Sequence, residues 1–225
     1  VTSDGLVQAT PAAFSIHCPS RKNTNDIALQ QINCNVDFMA GATIYGKNTK
    51  PATLIGMARG KGIEGVCSDT TYSPVKGKRV MYFSDNIDET VLSYSIDRRE
   101  GQRCLADFTS AAIDYMYSNF RNGFFMMIEG AHTDGSGHSK DAASAIHEVM
   151  NLAASVDLVL DFYEKHPNET LIIVTSDHET GACTLKSGRI ELLANQKCSI
   201  TALTEALTAL ANNGGNDELA AVTAM

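Results

Sequence analysis

The sequence lacks a hydrophobic run long enough to cross a bilayer, and none of its six cysteines stands in CxxC spacing. The first absence argues against a membrane span, and the second argues against a zinc knuckle or a dense disulfide scaffold, although one or two disulfides remain possible. Basic residues are also scarce, since 18 Lys and Arg against 26 Asp and Glu give a formal net charge of −8. This charge argues against a nucleic-acid surface but allows a small anionic substrate, because metal ions can make one pocket positive.

What is present indicates a single α/β domain. The 225 residues can bury a substantial core, and 44% hydrophobic with 20% charged residues is an ordinary globular composition. No internal repeat or low-complexity segment is found. Apolar runs and 3.6-residue periodicity predict helices over 51–62, 105–120, 139–165 and 199–212, and strands over 63–67, 78–83, 124–128 and 170–176. A loop is predicted at 212–215, and 217–225 could begin another helix.

The segment from 124 to 176 is predicted to form a strand–helix–strand unit. Its helix carries an apolar stripe from Ile146 to Tyr163 and stops before Pro167. Such a unit is expected to be parallel with a right-handed crossover, so the carboxyl ends of both strands would meet at one edge of the sheet.

Metal-binding side chains follow both of these strands. Glu129, Asp134 and His138 come after the first strand, and Asp177 and His178 come directly after the second. Asp134 and His138 are four residues apart, so both could approach one ion if their loop curled into a helical turn. Imidazole and carboxylate suit zinc, whereas an all-oxygen ligand such as Glu129 suits magnesium. The ligand inventory favours two zinc-like sites and one magnesium-like site.

Simpler interpretations stay open for each cluster taken alone. An Asp/His pair in a loop is more often solvated or caps a helix, and Glu129 could be a structural hydrogen-bond acceptor. Ser136, within Gly-Ser-Gly, lacks the full nucleophile pattern and is predicted to be loop. The remaining histidines of this region are predicted to lie in a loop, on a helix surface and at a helix end: His132, His147 and His166.

The amino-terminal segment adds a third element. Thr10 and Pro11 can open a helix, with Thr10 as N-cap and Pro11 at the first helical position. Arg21 follows eleven residues later, and its forked donors fit phosphate or sulfate oxygens.

Three motifs together resemble the alkaline phosphatase family. They are Ala-Thr-Pro-Ala-Ala-Phe at 9–14 with His17 and Arg21 downstream, Glu-Gly-x-x-x-Asp-x-x-x-His at 129–138, and Val-Thr-Ser-Asp-His-Glu-Thr-Gly at 174–181. The resemblance implies a three-layer α/β sandwich with a mostly parallel central sheet, and hydrolysis of phosphate monoesters with two Zn²⁺ and one Mg²⁺.

The resemblance also implies roles for single residues. By matching position, Thr10 and Glu129 would be magnesium ligands, and Arg21 would bind the phosphoryl group. Each zinc would take one Asp/His pair, the first Asp134 with His138 and the second Asp177 with His178. In the family a serine attacks phosphorus, and the metals stabilise the attacking and leaving oxygens.

The chain departs from the family pattern at both ends. The nucleophilic serine and the aspartate shared by two metals would precede Thr10, and no histidine follows His178 to complete the first zinc site. Gln8 stands where many members carry Asp or His. With no initiator Met at Val1, we therefore expect residues 1–225 to be a fragment of a longer catalytic domain, incomplete at both ends and inactive alone, in which 186–225 could begin an insertion.

Two alternatives to a phosphomonoesterase remain. One is a phosphodiesterase or sulfatase-like hydrolase of the same fold, and the other is a non-catalytic relative that binds metal or phosphate. The resemblance further implies a periplasmic or secreted protein, small phosphorylated substrates, no nucleic-acid partner, and the possibility of a homodimer.

Overall fold

A parallel three-stranded sheet forms the centre of the described structure. The computed structural model describes residues 1–66, 77–182 and 188–213. The strands are β1 (Phe38–Gly41), β2 (Glu64–Val66) and β3 (Val80–Phe83), in the order β1-β3-β2. Val80 pairs with Phe38 on one side and with Glu64 on the other. Every residue of β1 and β3 is buried, as expected for a parallel sheet that is covered on both faces.

Seven α-helices and one 3₁₀ helix are found among the described residues. The α-helices are α1 (Ala9–Ser15), α2 (Thr24–Asn33), α3 (Pro51–Gly60), α4 (Leu105–Asn119), α5 (Ala131–Ser139), α6 (Ala142–Lys165) and α7 (Ile200–Asn213), and the 3₁₀ helix is Ile190–Asn195. Local sequence explains several ends. Pro51 lies in the first turn of α3, and the Asp107 side chain accepts a hydrogen bond from the Cys104 backbone N–H at the start of α4.

Side chains of the sheet alternate between two apolar layers. Met39, Met81 and Phe83 pack with α2 and α3 in one cluster, whereas Phe38, Val80 and Tyr82 pack with α4 in the other. This period of two places helices on both faces of the sheet. The predicted α/β class, with three layers and a parallel sheet, is therefore confirmed.

The predicted strands at 124–128 and 170–176 are wrong as strands. The structure places neither segment in a ladder. Glu129 forms an isolated parallel bridge with Thr2, and the Glu129 amide donates to the Val1 carbonyl at 3.0 Å. Leu171 and Ile173 are 84% and 75% exposed. A strand needs a ladder to satisfy its backbone, and among the described residues neither segment forms one, although the Met127 carbonyl accepts a hydrogen bond from the Val1 amino group. The predicted crossover between paired strands is therefore not formed in the described part of the chain.

The long predicted helix is divided in two. Lys140, with φ of 56°, separates α5 from α6, so the helix predicted over 139–165 starts at Ala142. Much of its apolar stripe is exposed, including Ile146, Val149 and Met150. By length and composition alone, α6 is apolar enough to cross a bilayer, a property it shares with core helices of soluble proteins. The absence of a membrane span therefore stays a prediction.

Other predictions have mixed outcomes. The structure confirms three predicted helices: α3 for 51–62, α4 for 105–120 and α7 for 199–212. It also confirms two predicted strands, β2 for 63–67 and β3 for 78–83, although Cys67 lies outside the described residues. Asn212 and Asn213 belong to α7 and not to a loop. Thr10 lies inside α1, whose N-cap is Gln8, so the predicted Thr10 cap is wrong. The helix at 217–225 lies outside the described residues, as do residues 186–187 and 214–225 of the predicted insertion.

The chain divides into two compact units. Unit 1 comprises Val1–Leu92, Gly101–Ala131 and Asn151–Ile172 and contains the sheet. Unit 2 comprises Ser93–Glu100, His132–Met150 and Ile173–Met225. Four of the six cysteines are free thiols within the described parts of the chain: Cys18, Cys34, Cys104 and Cys198.

Candidate metal and phosphate site

The first ligand pair lies on α5, in unit 2. The loop of Asp134 and His138 does curl into a helix, and the Asp134 Oδ2 and His138 Nε2 atoms are 3.4 Å apart. The sequence of α5 is poor in helix formers, and two contacts support the helix, one within it and one from outside. Buried Ser136 donates to the His132 carbonyl at 2.8 Å, and the His132 ring packs on Tyr94 with centroids 4.5 Å apart. His132 is therefore a buried helical residue and not a loop residue. Ser136 is also buried in the helix, and its hydroxyl is hydrogen-bonded to a backbone carbonyl.

The second ligand pair follows the 170–176 segment. Asp177 Oδ2 and His178 Nε2 are 3.3 Å apart, and both side chains are exposed. In a tetrahedral zinc site with bonds of about 2.0–2.1 Å, two ligand atoms are separated by about 3.3 Å. Both pairs have this separation, which is longer than an ordinary N–H···O hydrogen bond. The donor sets therefore fit zinc in atom type and in spacing.

The structure brings the two pairs together through Thr180. Its Oγ1 donates to Asp134 Oδ1 at 2.6 Å and lies 3.2 Å from His178 Nδ1. The backbones also meet closely, because a β-carbon on Gly181 would lie 2.2 Å from the Gly137 carbonyl oxygen. All of these residues belong to unit 2. The predicted proximity of the two pairs is thus present, although no group of three His, Cys, Asp or Glu side chains gathers around one point within the described residues.

A buried carboxylate supports the helices beside this site. Asp141 accepts hydrogen bonds from the Ser144 amide at 3.1 Å, at the start of α6, and from the Ile200 amide at 2.7 Å, at the start of α7. Gln196 Nε2 adds a third bond at 2.7 Å. Burial raises the pKa of Asp141, but these hydrogen bonds lower it more, so its pKa lies below the ordinary value. Asp141 is a structural residue that the sequence interpretation missed; its position before a helical run is the only signal.

The predicted magnesium ligands lie in unit 1. Glu129 Oε2 accepts a hydrogen bond from Thr2 Oγ1 at 2.5 Å. In the 225-residue chain, the Val1 amino group donates to the Met127 carbonyl at 2.9 Å and interacts with the Glu129 charge. Within the described residues no hydrogen bond joins Thr10 to Glu129. Thr2 is therefore a contact of this carboxylate that the sequence did not indicate.

Arg21 is exposed in unit 1 and lies near two polar residues. Its Nη2 is 3.5 Å from Gln8 Oε1, and Gln8 Nε2 donates to Tyr45 Oη at 2.8 Å. Burial and the Asp4 charge raise the pKa of Tyr45, while the Gln8 hydrogen bond and the Arg21 charge oppose the shift. Arg21 thus presents free guanidinium donors to solvent, as an oxyanion-binding side chain requires.

The predicted site residues are divided between the two units. Unit 1 holds Thr10, Arg21 and Glu129, whereas unit 2 holds Asp134, His138, Asp177 and His178. Within unit 2 the two zinc-type pairs are linked. Thr180, which links them, stands in the motif itself, so the sequence contained this signal although its role was not inferred.

Comparisons with known proteins agree on one family. The family model for alkaline phosphatase matches residues 40–220. Alkaline phosphatase 4 of Bacillus subtilis is 30% identical over 192 residues, which cover 82% of this chain and 40% of that protein. The chain thus spans less than half the length of this curated relative.

Solved structures give the same result. A cold-active alkaline phosphatase from a psychrophilic Shewanella species has a TM-score of 0.79 at 27% identity, covering 98% of this chain and 53% of that one. The enzyme from the Antarctic bacterium TAB5, in a mutant form with Mg bound in its M3 site, has a TM-score of 0.65 at 27% identity, covering 80% of this chain and 51% of that one. On the matched motif, the fold and the family model, this chain belongs to the alkaline phosphatase family.

Proposed function

We propose that this chain supplies part of a phosphatase that hydrolyses phosphate monoesters at a site with two Zn²⁺ and one Mg²⁺. The observation that carries the proposal is the geometry of unit 2. Two carboxylate–imidazole pairs, each with an O···N separation of 3.3–3.4 Å, are joined by one threonine hydroxyl. This separation matches the distance between two ligand atoms on one tetrahedral zinc ion.

The chain's residues take separate tasks in the proposed reaction. Asp134 with His138 would hold one zinc, Asp177 with His178 the other, and Glu129 with Thr10 the magnesium. Arg21 would bind the phosphoryl oxygens and orient the phosphorus for attack. When bound, the metals would supply Lewis acidity that stabilises negative charge on the reacting oxygens. The exposed ligands are accessible to a substrate from solvent.

Several further features are proposed on the same basis. The substrates are small phosphorylated molecules, and the protein acts in the periplasm or after secretion, with a homodimer as a possible assembly. The serine nucleophile and the remaining metal ligands would come from parts of a longer polypeptide. The 225 residues alone are therefore expected to hydrolyse phosphate esters poorly or not at all.

The test uses the full-length protein and two single substitutions in the ligand pairs. We expect His138→Asn and Asp177→Asn each to lower the zinc content and to reduce hydrolysis of an aryl phosphate at least about 100-fold. His147→Asn is the matched control, because His147 is an exposed histidine on α6 outside both pairs. Zinc per protein is measured by elemental analysis beside the hydrolysis rate.

The outcomes separate the alternatives. Unchanged zinc content in both ligand variants would contradict the proposed site. A second outcome is that the ligand variants lose zinc while the wild-type protein hydrolyses no aryl phosphate. That result would select a non-catalytic metal-binding relative. Faster hydrolysis of an aryl phosphodiester or an aryl sulfate than of the monoester would select the other hydrolases of this fold.

A further inference from the structure

The Thr180 side chain occupies the space between the two ligand pairs. Its hydroxyl oxygen is 2.6 Å from Asp134 Oδ1 and 3.2 Å from His178 Nδ1. Each of these residues is a predicted zinc ligand, and Thr180 is not. A side chain in this place can control which atoms the ligands offer to a metal.

The positions of two protons follow from these distances. A threonine hydroxyl carries one proton, and an ionised carboxylate only accepts, so the proton of Thr180 points at Asp134 Oδ1. Towards His178 the hydroxyl can then only accept, which requires a hydrogen on Nδ1. The Glu179 carbonyl oxygen, also 3.2 Å from His178 Nδ1, is likewise only an acceptor. Both neighbours therefore favour the Nδ1–H tautomer of His178.

Each ligand is left with one atom for a metal. In the Nδ1–H tautomer, the lone pair of His178 is on Nε2, the atom that lies 3.3 Å from Asp177 Oδ2. On Asp134, Oδ1 is engaged by Thr180, and the other oxygen lies 3.4 Å from His138 Nε2. One hydroxyl thus selects the free oxygen of the first pair and favours the free nitrogen of the second.

The backbones of the two segments meet closely beside this hydroxyl. Gly181 has φ of +84°, and a β-carbon there would lie 2.2 Å from the Gly137 carbonyl oxygen. A β-carbon on Gly137 would in turn lie 2.8 Å from the Thr180 carbonyl oxygen. The two glycines let the chain before His138 and the chain after Thr180 approach within van der Waals contact.

We propose that Thr180 is a positioning residue that presets both zinc-binding pairs before metal arrives and couples them to each other. This inference rests on the proposed zinc site. Because the same hydroxyl orients Asp134 and His178, filling one pair also orders a ligand of the other. Loss of the hydroxyl leaves both pairs intact in composition but free to rotate.

The experiment compares Thr180→Val, Thr180→Ser and the control Thr175→Val in the full-length protein. Valine has the shape of threonine without its hydroxyl, and serine keeps the hydroxyl. Thr175 is an exposed threonine outside both pairs, and its hydroxyl donates to the Ser176 carbonyl at 3.3 Å. Zinc affinity is measured with Zn²⁺ alone against a chromophoric chelator. We expect Thr180→Val to bind zinc about 10–100-fold more weakly, and the other two variants to match the wild type.

A second measurement does not depend on metal. Nitrogen chemical shifts of His178 in the metal-free protein report its tautomer, and Thr180→Val is expected to shift it from Nδ1–H towards a mixture. Wild-type zinc affinity in Thr180→Val, or a serine variant as weak as the valine variant, would overturn the inference. A wild-type protein that binds no zinc would overturn the proposed site instead. The tautomer of His178 would then still test Thr180, because an unchanged tautomer in Thr180→Val would overturn its role as well.

Discussion

In the 225-residue chain taken by itself, the amino group of Val1 has an unusual environment for a charged group. Burial lowers its pKa from 8.0 to about 6, although the nearby Glu129 carboxylate opposes the shift. The amine also donates to the Met127 carbonyl, which holds the amino terminus beside the chain that leads to Glu129. Protonation of this amine therefore costs more in the folded state than in the unfolded state.

We predict that the chain beginning at Val1 becomes more stable as the pH rises from 6 to 8. The folded pKa is lower than the unfolded pKa, so in this window the unfolded chain binds more protons, and the free energy of unfolding increases with pH by up to about 2 kcal/mol. Urea unfolding at several pH values measures the slope, with an amino-terminally acetylated chain as control. Equal slopes in the two chains would contradict the prediction.

Single residues also show what the sequence could and could not predict. Spacing alone brought Asp134 and His138 to one helix face, because residues four apart are neighbours on any helix. The contacts of Thr2 with Glu129 and of Thr180 with Asp134 join residues 127 and 46 positions apart. Such contacts depend on the packed fold and have no local pattern.

Among the secondary-structure elements, α6 and α7 share one acceptor. Asp141 caps the start of α6 through Ser144 and receives the Ile200 amide at the start of α7. Helix N-termini carry unsatisfied donors and partial positive charge, so one buried carboxylate stabilises both. The junction between these helices depends on the charge of a single side chain.

Asp141→Asn is expected to destabilise unit 2 by about 2–3 kcal/mol, because a neutral amide caps two helices less well and turns an NH₂ group towards their donors. In the variant, the free energy of unfolding should also lose the part of its pH dependence at acidic pH that comes from Asp141. The folded pKa of Asp141 is depressed, so its contribution is present above its ordinary pKa and is lost as the pH falls through the folded value.

Hydrogen exchange of the α7 amides and urea midpoints measure this effect. Asp157→Asn, at an exposed position of α6, is the matched control and should match the wild type. An Asp141→Asn chain with wild-type exchange rates at neutral pH would show that the carboxylate does not hold the junction.

Helices were easier to predict than strands. The helical periods of α4 and α7 are local, whereas the apolar runs at 124–128 and 170–176 needed partner strands that the described residues do not supply. The interpretation also missed α2 and β1. The four-residue run of β1, Phe-Met-Ala-Gly, is too short and too weak in β-propensity to stand out.

For the whole molecule, the most consequential property is its exposed apolar surface. Leu171, Ile173 and Val174 precede the second ligand pair, and their exposed fractions are 84%, 75% and 65%. The backbone beside them lacks a ladder within the described residues. Unpaired backbone next to apolar side chains favours association with other chains.

The 225-residue chain alone is therefore expected to bind a hydrophobic dye and to self-associate. Replacing both Leu171 and Ile173 by lysine should lower dye fluorescence and shift the chain towards monomer without lowering its stability, because both side chains are already exposed. Thr175→Lys adds a charge nearby without removing apolar surface and serves as control. Unfolding of the double variant would show that these side chains are buried.

The enclosure of Asp141 has a consequence for the response of the protein to salt. Mobile ions weaken attractions between exposed charges, such as the Arg189–Glu191 pair, but they cannot approach a carboxylate with 2% of its surface exposed. The attraction between Asp141 and the two helix ends is therefore nearly independent of ionic strength. In unit 2, which carries both ligand pairs, the junction of α6 and α7 is therefore expected to be as stable at high salt concentration as at low salt concentration.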